Sequence, residues 1–146
     1  MARIKLDLPA EFPYSTELRV RITDINYAGH VGNDVVLGLL HEARFQFMAH
    51  HGLQELKVEG LGLIITDSAI VYKSEAFAGE TLTVAVAVGD LNKYGCDFFY
   101  RITEKSGGRD VAHAKTGIVF FDYQRRTVQP VPRSFLALFP PDAVPA

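Results

Sequence analysis

Across residues 17–23, apolar and polar positions alternate. Leu18, Val20 and Ile22 share one side and Glu17, Arg19 and Arg21 the other, the period of a half-buried strand. The run Asp24-Ile25-Asn26-Tyr27-Ala28-Gly29-His30 interrupts this with turn-forming residues, and from there the spacing predicts a long helix over 31–51, stopped by Gly52. Val35, Val36, Leu39, Leu40, Ala43 and Phe47 form one wide apolar stripe, while Leu37, Phe45 and Met48 lie on other faces, so this helix is expected to be mostly enclosed. Residues 61–76, 81–90, 95–104 and 111–123 read as long strands, separated by turn signals at Ala78-Gly79, Asn92-Lys93 and Ser106-Gly107-Gly108. Residues 1–16, with Pro9 and Pro13, read as an irregular or edge-like lead-in, and 131–146 as a C-terminal turn followed by a loose tail.

Strands joined by short connections are expected to pair as an antiparallel meander, with the first strand added to the same sheet across the helical crossover. A helix of about 20 residues spans roughly 30 Å and strands of 10 to 13 residues roughly 33 to 43 Å, so the sheet can curl along the helix's whole length. Ala85, Ala87, Ala112 and Ala114 are expected to let helix and sheet approach closely. The pattern thus predicts one α+β domain over 1–146, with five or six antiparallel strands curled around one long central helix. Apolar residues alternating on the sheet's outer face predict self-association, as a homodimer or dimer of dimers joined through sheet edges or backs.

Composition narrows the function classes. The 146 residues are 48% hydrophobic and 22% charged, enough for one domain with a core. A net charge of −2 provides no global basic field for a phosphate backbone, so no nucleic-acid partner is expected. The apolar runs 61–65 and 82–88 fall far short of the roughly 20 residues that cross a bilayer. Residues 1–7 alternate charged and apolar positions without a secretory apolar core, and the expected location is cytoplasmic, with no membrane partner. The single cysteine, Cys96, sits in an apolar strand pattern and reads as a buried structural thiol.

No G-x-S-x-G elbow, Gly-rich phosphate loop or nucleotide-binding fingerprint occurs, which removes most support for covalent serine hydrolysis. His41-Glu42 opens like a zinc-protease motif, but position 45 is Phe and His50-His51 are adjacent, so no metal site is expected. The dense polar cluster is Asp24, Asn26, His30, Asn33 and Asp34 around the helix start, followed by Glu42 and Arg44. Asn33 and Asp34 could simply cap free amides, and Asp24 and Asn26 could hold the turn. Glu42 falls about 100° from the centre of the apolar stripe, a core-bordering position that suits a carboxylate to base duty. Arg44, about as far round the other way, is expected in an ion pair or a contact with a second copy.

The segment Thr23-Asp24-Ile25-Asn26-Tyr27-Ala28-Gly29-His30-Val31-Gly32-Asn33, followed by a helix bearing His41-Glu42-Ala43-Arg44-Phe45, resembles hot-dog fold acyl-CoA thioesterases of the 4-hydroxybenzoyl-CoA thioesterase type. The likeness runs on through Tyr72, the turn Phe77-Ala78-Gly79-Glu80, Phe98 to Arg101, and Val111-Ala112 leading into Val119-Phe120-Phe121-Asp122. It implies hydrolysis of acyl-CoA to free acid and CoA, without metal or redox cofactor. The best-known members carry a catalytic aspartate three residues before the glycine, and here that position is Asn26. An amide is neither a carboxylate base nor a nucleophile, and Asp24 would point to the opposite face if the strand continued.

Thioester hydrolysis asks little of a site, because a thiol of pKa about 8.5 leaves readily. The expected assignment makes Glu42 the general base for water, with Asn26 and His30 orienting water or thioester. Free amides near Gly32 and Asn33 would hold the oxyanion, the Asn33 amide foremost. Thr66, in the polar run Thr66-Asp67-Ser68, is a lesser candidate, and Arg125 and Arg126 are weak candidates for the CoA phosphates. The missing aspartate keeps open a non-catalytic module that binds acyl-CoA or acyl-carrier protein. A hot-dog dehydratase and a purely structural dimerisation role are further alternatives.

Overall fold

Strand β1 (Tyr14–Arg19) leads through a single 3-10 turn (Ile22–Asp24) and a loop into helix α1 (Asn33–His50). Four long strands follow: β2 (Gly62–Tyr72), β3 (Thr81–Gly89), β4 (Gly95–Glu104) and β5 (Asp110–Asp122). A short β6 (Thr127–Gln129) and helix α2 (Arg133–Leu138) complete the domain in this computed structural model, which describes residues 3–140. The expected loose tail therefore lies almost wholly outside the described residues. No described helix is long and apolar enough to cross a membrane.

All pairings are antiparallel, in the order β1-β3-β4-β5-β2, with β6 on β5. The meander expectation holds for β3-β4-β5 but fails for β2. Strand β1 occupies one edge of β3 and β4 the other, so β2 pairs instead with β5, from Gly62 opposite Phe121 to Tyr72 opposite Ala112. The crossover carrying α1 thus runs between the two edge strands of the main order, and α1 lies beneath the sheet.

Element ends shift for local reasons. Strand β1 begins at Tyr14, before the expected position 17, and stops at Arg19. Ile22 is turned out to 77% exposure while the Asp24 carboxylate accepts the Arg21 amide at 2.8 Å, closing the 3-10 turn. Val31 is held in an isolated bridge with Ile25, and Gly32 is extended (φ −66, ψ 146), so α1 starts at Asn33. Gly52, at φ +75, ends the helical run, a conformation glycine adopts without penalty.

One face of α1, with Val36, Leu40, Ala43 and Phe47, is buried against Val84, Val86, Phe98, Tyr100, Ala112 and Ala114. Enclosure is less complete than the sequence predicts, because Leu37 and Phe45 are 46% and 56% exposed. Ala112 and Ala114 face the helix as expected, whereas Ala85 and Ala87 alternate with core-facing Val84 and Val86 and so lie on the outer face. That outer face is not continuously apolar. Lys115 on β5 reaches Asp67 on β2 at 2.9 Å and Asp97 on β4 at 3.3 Å, an ion network across three strands. Cys96 is buried among core residues, and that burial raises its thiol pKa well above the ordinary range.

Arg44 is the charged residue that ties helix to sheet. Its side chain is 7% exposed; Nε donates to Glu55 Oε1 at 2.7 Å and Nη1 to the Tyr100 hydroxyl at 3.2 Å, which in turn contacts Thr116 Oγ1 at 2.7 Å. The expected ion pair is therefore present, and it is internal.

Two glycines should respond in opposite directions. A Cβ on Gly95 would lie 1.8 Å from the Ile118 carbonyl oxygen, whereas one on Gly38, on the exposed side of α1, meets nothing within 4 Å. Urea unfolding is expected to show Gly95→Ala destabilised by about 1–3 kcal/mol and Gly38→Ala stabilised by up to about 1 kcal/mol.

Candidate active site

The loop before α1 is built by its own polar groups. Asn26 Oδ1 accepts the Ala28 amide at 2.9 Å, the Asn26 amide donates to the His30 carbonyl at 2.9 Å, and Gly29 takes φ +87 to close the turn. Asp24 is buried; its carboxylate accepts from Arg21, and its carbonyl accepts the Gly32 amide at 3.2 Å. The Val31 amide donates to the Ala76 carbonyl at 2.9 Å, which joins the loop to the segment between β2 and β3. Sequence patterning assigned the chain as far as Ala76 to a strand, but β2 ends at Tyr72, and residues 73–80 form this connection.

At the start of α1 no side chain caps the helix, and among the described residues the amides of Asn33 and Asp34 have no hydrogen-bond partner. Such amides, aligned with the helix dipole, attract negative charge. Beside them opens a cavity of about 460 Å³. Val36 and Leu39 of α1, with Leu82, Ile102 and Val111 of the sheet and its connections, form apolar walls. His30, Asn33, Tyr72, Lys73, Ser74 and Glu75 supply the polar groups. The Tyr72 hydroxyl donates to the Asn33 carbonyl at 3.0 Å, linking the end of β2 to the first helical residue. His30 Nδ1 lies 3.0 Å from the Val31 carbonyl oxygen, and Nε2 lies 3.5 Å from Glu75 Oε2. Arg109 anchors the connection from below, donating to Ser74 Oγ at 3.2 Å and to the Glu75 carbonyl and Glu80 Oε1 at 2.9 Å each.

His30 and Asn33 thus share one cavity, with Gly32 and Asn26 behind it. A Cβ on Gly32 would sit 2.5 Å from Asp34 Oδ1 and 3.7 Å from the Asn26 side chain, so glycine keeps this approach open. Other expected members lie elsewhere in the chain. Glu42 does not border the core. It is exposed, accepts from Gln46 Nε2 at 2.8 Å, and lines a separate groove with Arg19, Arg21 and Asp24 on the β1 side of α1. Thr66 is exposed at an irregularity of the β2 edge and donates to Asp67 Oδ1 at 3.2 Å, outside the cavity. Arg125 and Arg126 are exposed on the turn between β5 and β6; Arg126 stacks over Phe121 at 5.7 Å. That turn is at the far end of β5 from cavity-lining Val111, roughly 35 Å away along the strand.

Tyr72 and Glu75 were not singled out as site residues from sequence. Tyr72 belongs to the stretch that carries the family likeness, and its role needs the β2–β5 pairing to be seen. Glu75 gives no local signal, because the connection containing it returns to the helix start only once β2 has crossed to the far edge.

The pattern of the thioesterase-like superfamily matches residues 20–139. No curated protein matches the chain. Among solved structures, a 1,4-dihydroxy-2-naphthoyl-CoA thioesterase from Synechocystis is similar, with TM-score 0.79 and 22% identity over 88% of this chain and 97% of that one. A gentisyl-coenzyme A thioesterase is similar at TM-score 0.75 and 19% identity, over 84% and 98% of the two chains. A DHNA-CoA thioesterase from Staphylococcus aureus gives TM-score 0.71 and 20% identity, over 88% and 83%. These neighbours share the hot-dog fold, a curled antiparallel sheet around one long helix, and with the family pattern running from the end of β1 to the end of α2, the chain belongs to the thioesterase-like superfamily.

Proposed function

We propose that this protein hydrolyses the thioester of an acyl-CoA to free acid and CoA, using water and no covalent serine. The observation that carries this reading is an apolar cavity opening at an uncapped helix start. An acyl chain seated between Val36, Leu39, Leu82 and Ile102 brings its carbonyl towards the Asn33 amide. As water attacks, charge gathers on the carbonyl oxygen, where a fixed amide donor acts without reorganising; losing one such donor costs about 3–4 kcal/mol in known enzymes. The thiolate then leaves with little acid assistance. Asn26 acts here by holding the turn, and His30 by orienting groups at the cavity rim.

Asn26 in place of a carboxylate is the one observation favouring a second reading, a non-catalytic module that binds acyl-CoA or acyl-carrier protein. Free-thiol release from a panel of short, long and aromatic acyl-CoAs separates the two. Turnover of at least one thioester is expected; acyl-CoA binding in a thermal-shift assay with no turnover would establish the binding module. Leu39→Trp, which fills the cavity, is expected to raise KM for the bulkiest accepted acyl group about tenfold or more, while a short acyl group is less affected.

The functional unit in this proposal is a homodimer, or a dimer of dimers, joined at the free edge of β2. That edge leaves residues 65–68 exposed. Beside it, Leu37, His41 and Phe45 form an exposed row on α1, on the side where His41 Nε2 contacts Glu55 Oε2 at 3.3 Å. Antiparallel pairing of two β2 edges would satisfy backbone groups that water otherwise holds and would bury this row. Thr66, near the middle of the edge, then enters a site only through the second copy. Light scattering at micromolar protein is expected to give two or four chains, and Ile65→Lys with Phe45→Glu is expected to shift the mass towards one.

A further inference from the structure

The hydrolysis proposed above needs a group to take a proton from water, and the carboxamide of Asn26 does not supply it. Asp24 has both carboxylate oxygens turned to Arg21, one to the amide at 2.8 Å and one to the guanidinium at 3.5 Å. Glu42 lines a different groove. Among the described residues lining the cavity, only Glu75 bears a carboxylate.

Its placement is built rather than incidental. The Glu75 carbonyl accepts from Arg109 Nη2 at 2.9 Å, and the next carbonyl, that of Ala76, accepts from the Val31 amide at 2.9 Å. The backbone that follows the Glu75 Cα is therefore pinned twice, once to the β5 side and once to the loop that starts α1. Glu75 Oε2 lies 3.5 Å from His30 Nε2, and His30 Nδ1 is held by the Val31 carbonyl at 3.0 Å. With its side chain 62% exposed, Glu75 meets water at the cavity rim while the apolar walls lie behind it.

We infer that Glu75 is the catalytic carboxylate of this thioesterase site, the general base for the attacking water, and that His30 is a positioning residue that holds it. This rests on the hydrolase reading. Glu75 takes one proton from water, and the oxygen left behind bonds to the thioester carbon. The carbonyl π pair moves onto its oxygen, facing the Asn33 amide. When that pair returns, the C–S bond breaks, its electrons go to sulfur, and the proton held by Glu75 passes to the thiolate. One water and one thioester give one acid and one thiol, with no further reactant. Held through Nδ1 by the Val31 carbonyl, the imidazole faces Glu75 Oε2 at 3.5 Å and so bears on the direction of the carboxylate at the rim.

The test uses the intact protein and its best acyl-CoA from the panel, with thiol release as the readout. Glu75→Gln, isosteric and on an exposed side chain, is expected to lower kcat about 100-fold or more, the range for a general base, with KM little changed and thermal unfolding preserved. Glu75→Ala is expected to regain turnover on addition of formate, saturably, because a free carboxylate can replace the missing base. His30→Ala is expected to lower kcat, and His30→Gln, which keeps a donor, to recover part of it. Glu75→Gln with kcat within about threefold of wild type overturns the assignment while leaving the hydrolase reading intact. Loss in Glu75→Gln without formate rescue of Glu75→Ala overturns the base role, and equal losses in the two His30 variants overturn the positioning role. Wild type silent on every acyl-CoA overturns the hydrolase reading and the role of Glu75 with it.

Discussion

Strand β3 has both edges occupied, and the rest of the architecture follows from that constraint. With β1 on one side and β4 on the other, the strand that follows the helix has one long free edge left, that of β5. The helix is therefore carried beneath the sheet and covered by the core-facing side chains of β3, β4 and β5. The chain must then return from the β2 edge to the start of β3, and residues 73–80 make this return past the start of α1. A cavity with two polar margins results: the pre-helix loop on one side and the returning connection on the other. Neither margin is near the other in sequence, and the Val31–Ala76 hydrogen bond is where they meet.

Holding α1 in this position depends on more than apolar contact. A helix buried along one stripe could slide or roll with small changes in packed area, but Arg44 has directional partners on two sides, the Glu55 carboxylate before β2 and the Tyr100 hydroxyl on β4. Burial opposes the guanidinium's charge, and the contacts with Tyr100 and Glu55 outweigh that, leaving its pKa above the ordinary value. Removing one member of such a buried pair commonly costs about 3–5 kcal/mol, because the partner is left uncompensated. The same contacts set the rotation of the helix about its axis, which fixes Val36 and Leu39 as cavity walls and leaves Leu37 and Phe45 outside.

Much of this was legible from residue periodicity. The alternation in β3, β4 and β5 and the stripe on α1 located those elements within a few residues, since burial imposes periods of two and 3.6 directly on composition. The family likeness around Gly29-His30-Val31 located the helix start as the polar centre, and His30 and Asn33 do line one cavity. What was not legible depends on strand order. Placing β2 beside β3 is the shortest connection, and nothing local to residues 61–76 says otherwise; only the competition for the edges of β3 decides it. Glu42 was placed by a helical wheel, which gives an angle but not what lies opposite that angle, and β1 turned out to leave that side of the helix open as a groove. Glu75 carries no local signal for the same reason that β2 departs from the meander: its meaning is topological.

The exchange of a carboxylate for an amide at position 26 has a local electrostatic logic. Asn26 and Asp34 flank the same glycine, with Asn26 Nδ2 and Asp34 Oδ1 both within 3.7 Å of where a Gly32 Cβ would lie. An amide there carries no charge, whereas an aspartate would present a second negative charge across the same glycine from Asp34. Two carboxylates flanking one glycine would repel each other. The turn itself needs only the side-chain oxygen that accepts the Ala28 amide, and Asn26 retains it. The turn and the base can therefore be separated onto two residues, with Asn26 shaping the loop and a carboxylate from the opposite margin facing the cavity. That division is possible because the returning connection is fastened to the loop at Val31, which keeps a residue remote in sequence at the margin of the same cavity.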